Sequence, residues 1–132
     1  RTRDGSLVMV GSREIDRVGD SDFFVLKMDQ NGKKIWARTY GGEYEDILNG
    51  VTATLDGGIV AAGSTRSWGS KQTDLTVLKF SKEGKLIWHK IYGYKRYDFA
   101  NAVTVTRNGD FIIAGGTDSM GEGVYDIYIL AL

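Results

Sequence analysis

The strongest constraint on the fold of this chain is an internal repeat with a period of 52 residues. Residues 4–12 (DGSLVMVGS) return as residues 56–64 (DGGIVAAGS) and again as residues 108–116 (NGDFIIAGG). The same interval separates three aspartates that each open an apolar run and two tryptophans: Asp22, Asp74, Asp126, Trp36 and Trp88. A period without insertions predicts that one supersecondary unit is stacked repeatedly.

One unit reads as four short β-strands joined by turns, and helical spacing of apolar residues is nowhere sustained. We label the strands A, B, C and D in chain order. The middle copy places them at 51–55, 59–63, 74–80 and 85–92, and the next strand A at 102–105. Four strands per period of about fifty residues predict an all-β fold, a β-propeller of four-stranded antiparallel blades, in preference to a flat solenoid.

The whole chain, residues 1–132, is therefore predicted to be a partial β-propeller of about two and a half blades. The predicted units are strands B to D of blade 1 at 1–42, a complete blade 2 at 43–94, and strands A to C of blade 3 at 95–132. Arg1 falls partway through a unit, so we interpret the sequence as a piece of a longer protein. Either the remaining blades of the same propeller or self-association is expected to cover its exposed apolar faces.

The composition favours a globular chain, with 42% hydrophobic and 26% charged residues, and the formal net charge is zero. A neutral chain has no global field that would recruit nucleic acid or an anionic membrane. Eighteen glycines and no proline predict many turns with positive φ. No stretch approaches the roughly 20 apolar residues of a membrane span. We expect neither a nucleic-acid partner nor membrane insertion.

Three strings carry a family resemblance: residues 56–64, 22–32 (DFFVLKMDQNG) and 35–42 (IWARTYGG). They resemble the β-propeller repeats of secreted or surface-attached bacterial and archaeal proteins, over the whole chain. The resemblance implies a propeller and an extracellular or cell-surface location, and it implies little about activity. The Gly-x-x-x-Trp strings at 32–36 and 84–88 are similar to those of quinoprotein propellers. The alanine and aspartate pattern of those repeats is missing, so no quinone or other cofactor is expected.

Residues that recur in every copy are interpreted as structural. Trp36 and Trp88 stand at one strand position and are expected to bury their rings between neighbouring blades. Asp22, Asp74 and Asp126 end a connection just before a strand. They are expected to accept hydrogen bonds from local backbone amides rather than to hold a cation.

Residues that could carry catalysis or bind a metal are few. His89 has no second histidine, cysteine or placed serine with which to form a metal cluster or a triad. Residues 29–32 begin like a calcium loop but lack its closing glutamate, so they are interpreted as a hairpin turn. Glu43, Glu45 and Asp46 cluster in one D-to-A connection and could act as paired carboxylates, although a solvated acidic loop is commoner. We expect no catalytic, metal or cofactor-binding residues.

The connections from B to C and from D to A are the longest in the unit, and their sequences diverge while their length is kept. In an antiparallel meander they fall at the same end, where we expect one binding face. Trp68 stands out because exposing a tryptophan without a partner is costly. The candidate ligand contacts are Trp68, Tyr44, Tyr94, Tyr97 and Arg96.

These features predict a non-catalytic binding or scaffold module that recognises protein or carbohydrate at this face. Two alternatives remain open. One is a propeller hydrolase or lyase with its site where the blades meet. The other is a purely structural repeat that spaces other domains.

Overall fold

The computed structural model describes residues 1–15, 19–70, 72–119 and 126–132, apart from the side chain of Tyr128. Within these ranges the regular structure consists of β-strands without helices, so the all-β prediction is confirmed. The strands are β1 (Leu7–Glu14), β2 (Ser21–Met28), β3 (Lys34–Tyr40), β4 (Asp46–Ala53), β5 (Ile59–Thr65), β6 (Asp74–Phe80), β7 (Leu86–Tyr92), β8 (Asp98–Val105), β9 (Phe111–Thr117) and β10 (Asp126–Ala131).

The strands form three antiparallel meanders, in which neighbours in sequence are neighbours in the sheet. Sheet 1 has the order β1-β2-β3, sheet 2 the order β4-β5-β6-β7, and sheet 3 the order β10-β9-β8. The predicted units 1–42, 43–94 and 95–132 each contain one of these sheets. Strands B, C and D of the middle copy are confirmed as β5, β6 and β7, with bounds within two residues of those predicted.

The three sheets stack face to face in chain order, because β4 lies against β1 and β2, and β8 lies against β4, β5 and β6. The apolar core between sheets 1 and 2 consists of Phe23, Val25, Trp36, Leu48, Ile59, Ala61, Leu78 and Phe80. The core between sheets 2 and 3 consists of Val60, Ala62, Leu75, Val77, Ala100 and Ile113. Sheet 2 is covered on both faces, so β6 is buried along its whole length.

The repeated tryptophans pack between sheets, as predicted. Trp36 is buried in the first core, and its indole N–H donates to the carbonyl of Lys82 at 3.0 Å. Trp88 packs in the second core with its ring centroid 6.1 Å from that of Phe111. Each tryptophan thus packs the last strand of one sheet against the next unit.

Strand A begins earlier than predicted. The predicted positions of strand A are 51–55 and 102–105, whereas β4 begins at Asp46 and β8 at Asp98. The pairing register shifts at Asn49 and Asn101, where a β-bulge interrupts the alternation of apolar residues. This interruption made the first half of the strand resemble a loop. The D-to-A connections, 41–45 and 93–97, are therefore no longer than the A-to-B turn at 54–58, and the prediction that they are among the longest connections is wrong.

The tight turns use glycine with positive φ, as predicted. Gly57 has φ of 82° in the turn between strands A and B, and Gly84 has φ of 80° in the turn between strands C and D. Residues 29–32 also form a turn, in which a carboxylate oxygen of Asp29 accepts from the amides of Asn31 and Lys33, both at 2.9 Å. The interpretation as a hairpin turn is confirmed.

A buried lysine on strand C is tied to the A-to-B turn in two of the three units. Lys79 Nζ lies 2.9 Å from Asp56 Oδ1, and Lys27 Nζ lies 3.0 Å from Asp4 Oδ2. The lysines are buried, whereas the aspartates are largely exposed. Lys79 also donates to the hydroxyl of Thr54 at 2.7 Å. These bonds satisfy an ammonium group that would be costly to bury alone.

Asp56 also accepts a hydrogen bond from the hydroxyl of Thr54, and this bond first and Lys79 second hold the pKa of Asp56 well below its usual range. In the third unit, Asn108 stands in the place of the aspartate and Ala131 in the place of the lysine. Both partners are therefore replaced together. The pair behaves as one structural feature of the unit.

Candidate functional site

The B-to-C and D-to-A connections of a sheet lie together at one end and are hydrogen-bonded to each other. In sheet 2 the amide of Tyr44 donates to Ser67 Oγ at 3.0 Å. In sheet 3 the amide of Arg96 donates to Ser119 Oγ at 3.1 Å. These equivalent bonds join the two connections into one continuous surface. We call it the loop end and define it as residues 41–45, 66–70, 93–97 and 118–119.

Asp46, the first residue of β4, anchors the loop end of sheet 2. It is 0% exposed, and one carboxylate oxygen accepts from the amide of Gly42 at 3.0 Å and from Ser67 Oγ at 2.8 Å. The other oxygen accepts from the hydroxyl of Thr65. A carboxylate satisfied on both oxygens and shielded from solvent positions the loop backbone.

Asp98 repeats this arrangement one unit later. Its Oδ2 accepts from the amide of Tyr94 at 3.0 Å and from Ser119 Oγ at 2.8 Å. The sequence predicts Asp46 as part of an acidic cluster, but its counterpart Asp98 stands 52 residues further on. The repeat was the signal that could have identified Asp46 as structural.

The aspartates that open strand C also lie at this end. Asp74 accepts from both the amide and the hydroxyl of Ser70, so the prediction of local capping is confirmed for this residue. Burial, and then the nearby carboxylate of Asp46, raises the pKa of Asp22, while Arg13 partly opposes the rise. Residues 120–125, which directly precede Asp126, lie outside the described residues.

An open cleft of about 530 Å³ lies in the loop end of sheet 2. It is lined by Glu43, Tyr44, Arg66, Ser67, Trp68 and Gly69. Tyr44 is 53% exposed, and the exposed Glu43 and Arg66 bring opposite charges to the cleft. Two of the five predicted contact residues, Trp68 and Tyr44, are thus brought together.

Trp68 is half-buried and has aromatic partners within the chain. Its ring stacks on Tyr40 with centroids 5.4 Å apart and meets the edge of His89 at 5.1 Å. Phe23 lies 6.3 Å away. We call Phe23, Tyr40, Trp68 and His89 the aromatic cluster. Trp68 was a candidate because exposing its ring to water is unfavourable. Packing of the ring between sheets 1 and 2 partly removes this unfavourable exposure. Its role in ligand binding stays a prediction.

His89 completes the aromatic cluster from β7. Its Nε2 lies 2.7 Å from Thr76 Oγ1, and its ring is perpendicular to that of Tyr40 at 5.6 Å. Burial lowers the pKa of His89, with the carboxylate of Asp46 opposing the shift. A neutral imidazole is therefore favoured at pH 7, where it acts as a half-buried packing residue.

The other three predicted contact residues lie on the D-to-A connection of sheet 3. Tyr94 is 72% exposed, Tyr97 is 48% exposed, and Arg96 is exposed beside them. The amide of Tyr97 donates to a carboxylate oxygen of Asp118 at 2.6 Å, which fixes the backbone here. These side chains do not line the sheet 2 cleft; they stand one unit further along the same end.

In the described ranges, no three His, Cys, Asp or Glu side chains lie close enough together to hold a metal ion. The same part of the chain holds no helix with the length and hydropathy of a membrane span.

A scan with protein-family models gave no match for this sequence, and no curated protein matches it significantly. A function for the chain therefore has to be inferred from the loop end and its cleft.

Proposed function

We propose that the three sheets are successive blades of a β-propeller, with strands B to D in sheet 1, a whole blade in sheet 2, and strands A to C in sheet 3. The constant period of 52 residues and the face-to-face stacking support this arrangement. A further support is the approach of two A strands, because a Cβ added to Gly50 would lie 3.0 Å from Ala102 Cα. Inner strands crowd together in this way around a propeller axis.

The propeller is a non-catalytic binding module that recognises a glycan or a protein segment at its loop end. The observation that carries this function is the cleft of about 530 Å³, a size within the roughly 300–1,000 Å³ of small-ligand sites. Its walls are fixed by the hydrogen bonds of Ser67 and Asp46. Tyr44 offers an exposed ring, and Glu43 and Arg66 offer charged groups for polar contacts.

An extracellular or cell-surface location belongs to the same proposal and rests on the resemblance of the repeats. Tyr94, Arg96 and Tyr97 form a second aromatic and basic patch on the loop end, and we propose that it extends the contact with a large ligand. Exposed aromatic and arginine side chains are favoured as anchors of such contacts.

The test is a binding screen of the purified chain against immobilised glycans and a displayed peptide library. For a ligand found there, we expect Tyr44→Ala and Arg66→Ala each to weaken binding about tenfold or more, corresponding to about 1.4 kcal/mol. Leu55→Ala is the matched control. Leu55 is 46% exposed and lies in the A-to-B turn, at the opposite end of sheet 2.

A ligand whose affinity is unchanged by both cleft variants would contradict the cleft assignment. Failure to bind any glycan or peptide would favour the purely structural repeat. Hydrolysis of a bound glycan that is lost in Glu43→Gln would favour the hydrolase alternative, since Asp46 is committed to the loop backbone.

A further inference from the structure

One outward face of the molecule belongs to sheet 1. Val8, Val10, Phe23 and Val25 point from this sheet into the core with sheet 2. Because side chains alternate along a strand, their neighbours point the opposite way. Four of the apolar side chains that point this way form what we call the front face: Leu7, Met9, Leu26 and Met28.

The front face has the composition of a sheet interface. Its members correspond, 52 residues further on, to four residues of sheet 2 that pack against sheet 1 and are at most 2% exposed: Ile59, Ala61, Leu78 and Phe80. Met9, in contrast, is 56% exposed. The unit thus keeps large apolar side chains at positions that are buried wherever a preceding sheet is present.

The second outward face belongs to sheet 3. Phe111, Ile113 and Leu130 point towards sheet 2. The alternate positions point away and form what we call the rear face: Ile112, Ala114, Ile127 and Ile129. Their counterparts in sheet 2 pack against sheet 3 and are all 0% exposed: Val60, Ala62, Leu75 and Val77.

The rear face is strongly exposed, with Ile127 at 85% and Ile129 at 67%. An exposed isoleucine does not by itself indicate that a neighbouring sheet is missing. Ile35 is 50% exposed, and its counterpart Ile87 is 54% exposed although sheet 2 has a neighbour on each side. The side chain at the position of Ile35 and Ile87 is therefore exposed in each unit. Exposure of Met9, Ile127 and Ile129 instead indicates a sheet face that lacks a neighbouring sheet.

The chain contains two examples of how these faces pack. The rear of sheet 1 lies on the front of sheet 2, and the rear of sheet 2 lies on the front of sheet 3. We propose that a second copy of this chain continues the series, with the rear face of one copy on the front face of the next. The proposal rests on the blade arrangement proposed above and is independent of the ligand site.

The contact joins two different patches, so it is heterologous and continues until a ring closes. Two copies supply six sheets, within the four to eight blades at which propellers commonly close. The expected assembly is a dimer with two equal contacts. All loop ends then lie on one side of the ring.

The experiment measures molar mass by light scattering coupled to size exclusion. We expect a dimer for the wild-type chain and for Ile35→Glu, and monomers for Met9→Glu and Ile129→Glu. A carboxylate in either buried contact should raise the dimer dissociation constant about 100-fold or more. Circular dichroism verifies folding, and Met9→Ser and Ile129→Ser replace any variant that fails to fold.

A mixture of Met9→Glu and Ile129→Glu makes the test specific. Each variant keeps the face that the other has lost, so the mixture should form a heterodimer through one intact contact. A wild-type chain that stays monomeric at high concentration would overturn the proposal. So would a dimer that survives either substitution, which a contact between two identical patches predicts, or a mixture that remains monomeric.

Discussion

At the scale of single residues, glycine occupies one position of strand B in all three units, but its surroundings differ. A Cβ at Gly63 would overlap the carbonyl oxygen of Ile47, and a Cβ at Gly115 would overlap that of Phe99. Among the described residues, no atom lies within 4 Å of such a Cβ at Gly11, because no described strand pairs with that edge of β1. The glycine is required by the bulged strand A that lies beside it.

Gly63→Ala should therefore lower the free energy of unfolding by more than about 2 kcal/mol, since neither backbone can move away without breaking the pairing of β4 and β5. Gly11→Ala is the matched control and should change it by less than about 0.5 kcal/mol. Denaturant unfolding at one protein concentration measures both. Equal losses in the two variants would contradict this explanation of the glycine.

The roles of single residues were only partly predictable from the sequence. The two tryptophans and Asp74 follow from recurrence, because a residue present in every unit serves the unit. Trp68 does not recur, so nothing in its local sequence indicated that Tyr40 and His89 lie beside it. Such contacts join separate sheets, and a local pattern carries no information about them.

At the scale of strands and turns, the structure follows the repeat closely. Strands B, C and D could be located because their apolar runs are bounded by glycine turns. The start of strand A was missed because Asn49, at the bulge, precedes Gly50, a combination typical of loops. A bulge leaves an extra residue in one strand, and a search for strict alternation overlooks it.

The ion pair between the A-to-B turn and strand C gives a prediction at this scale. Asp56→Asn leaves the buried ammonium of Lys79 without its carboxylate and should cost about 1–2 kcal/mol. The double variant Asp56→Asn, Lys79→Ala copies the residues of the third unit and should cost less than the single variant, because it leaves no unpaired buried charge. Thermal and denaturant unfolding of both variants measures the difference.

The pH dependence of stability tests the ion pair of Asp56 and Lys79. The pKa of Asp56 is lower in the folded chain, so its stabilising effect is present above the pKa of an unfolded aspartate, about 3.9, and is lost as the pH falls further. The wild-type chain and Asp56→Asn should therefore differ at pH 7 and converge in acid. A double variant less stable than the single one, or a difference independent of pH, would contradict this role.

At the scale of the whole molecule, three equivalent sheets leave two apolar faces and one loop end exposed. The repeat predicted the unit and the stacking, because every copy carries the same alternation of buried positions. It could not predict the cleft, since the residues that line it differ from unit to unit. Ring closure depends on the angle between successive sheets, which is set by packing rather than by any local motif.

The most direct measurement is a crystal structure of the wild-type assembly. We expect the sheets of successive copies to follow one another around a single axis, rear face on front face, with every loop end on the same side of the ring. A straight, uncurved stack of sheets, or a pair of copies joined through identical patches, would contradict the propeller arrangement.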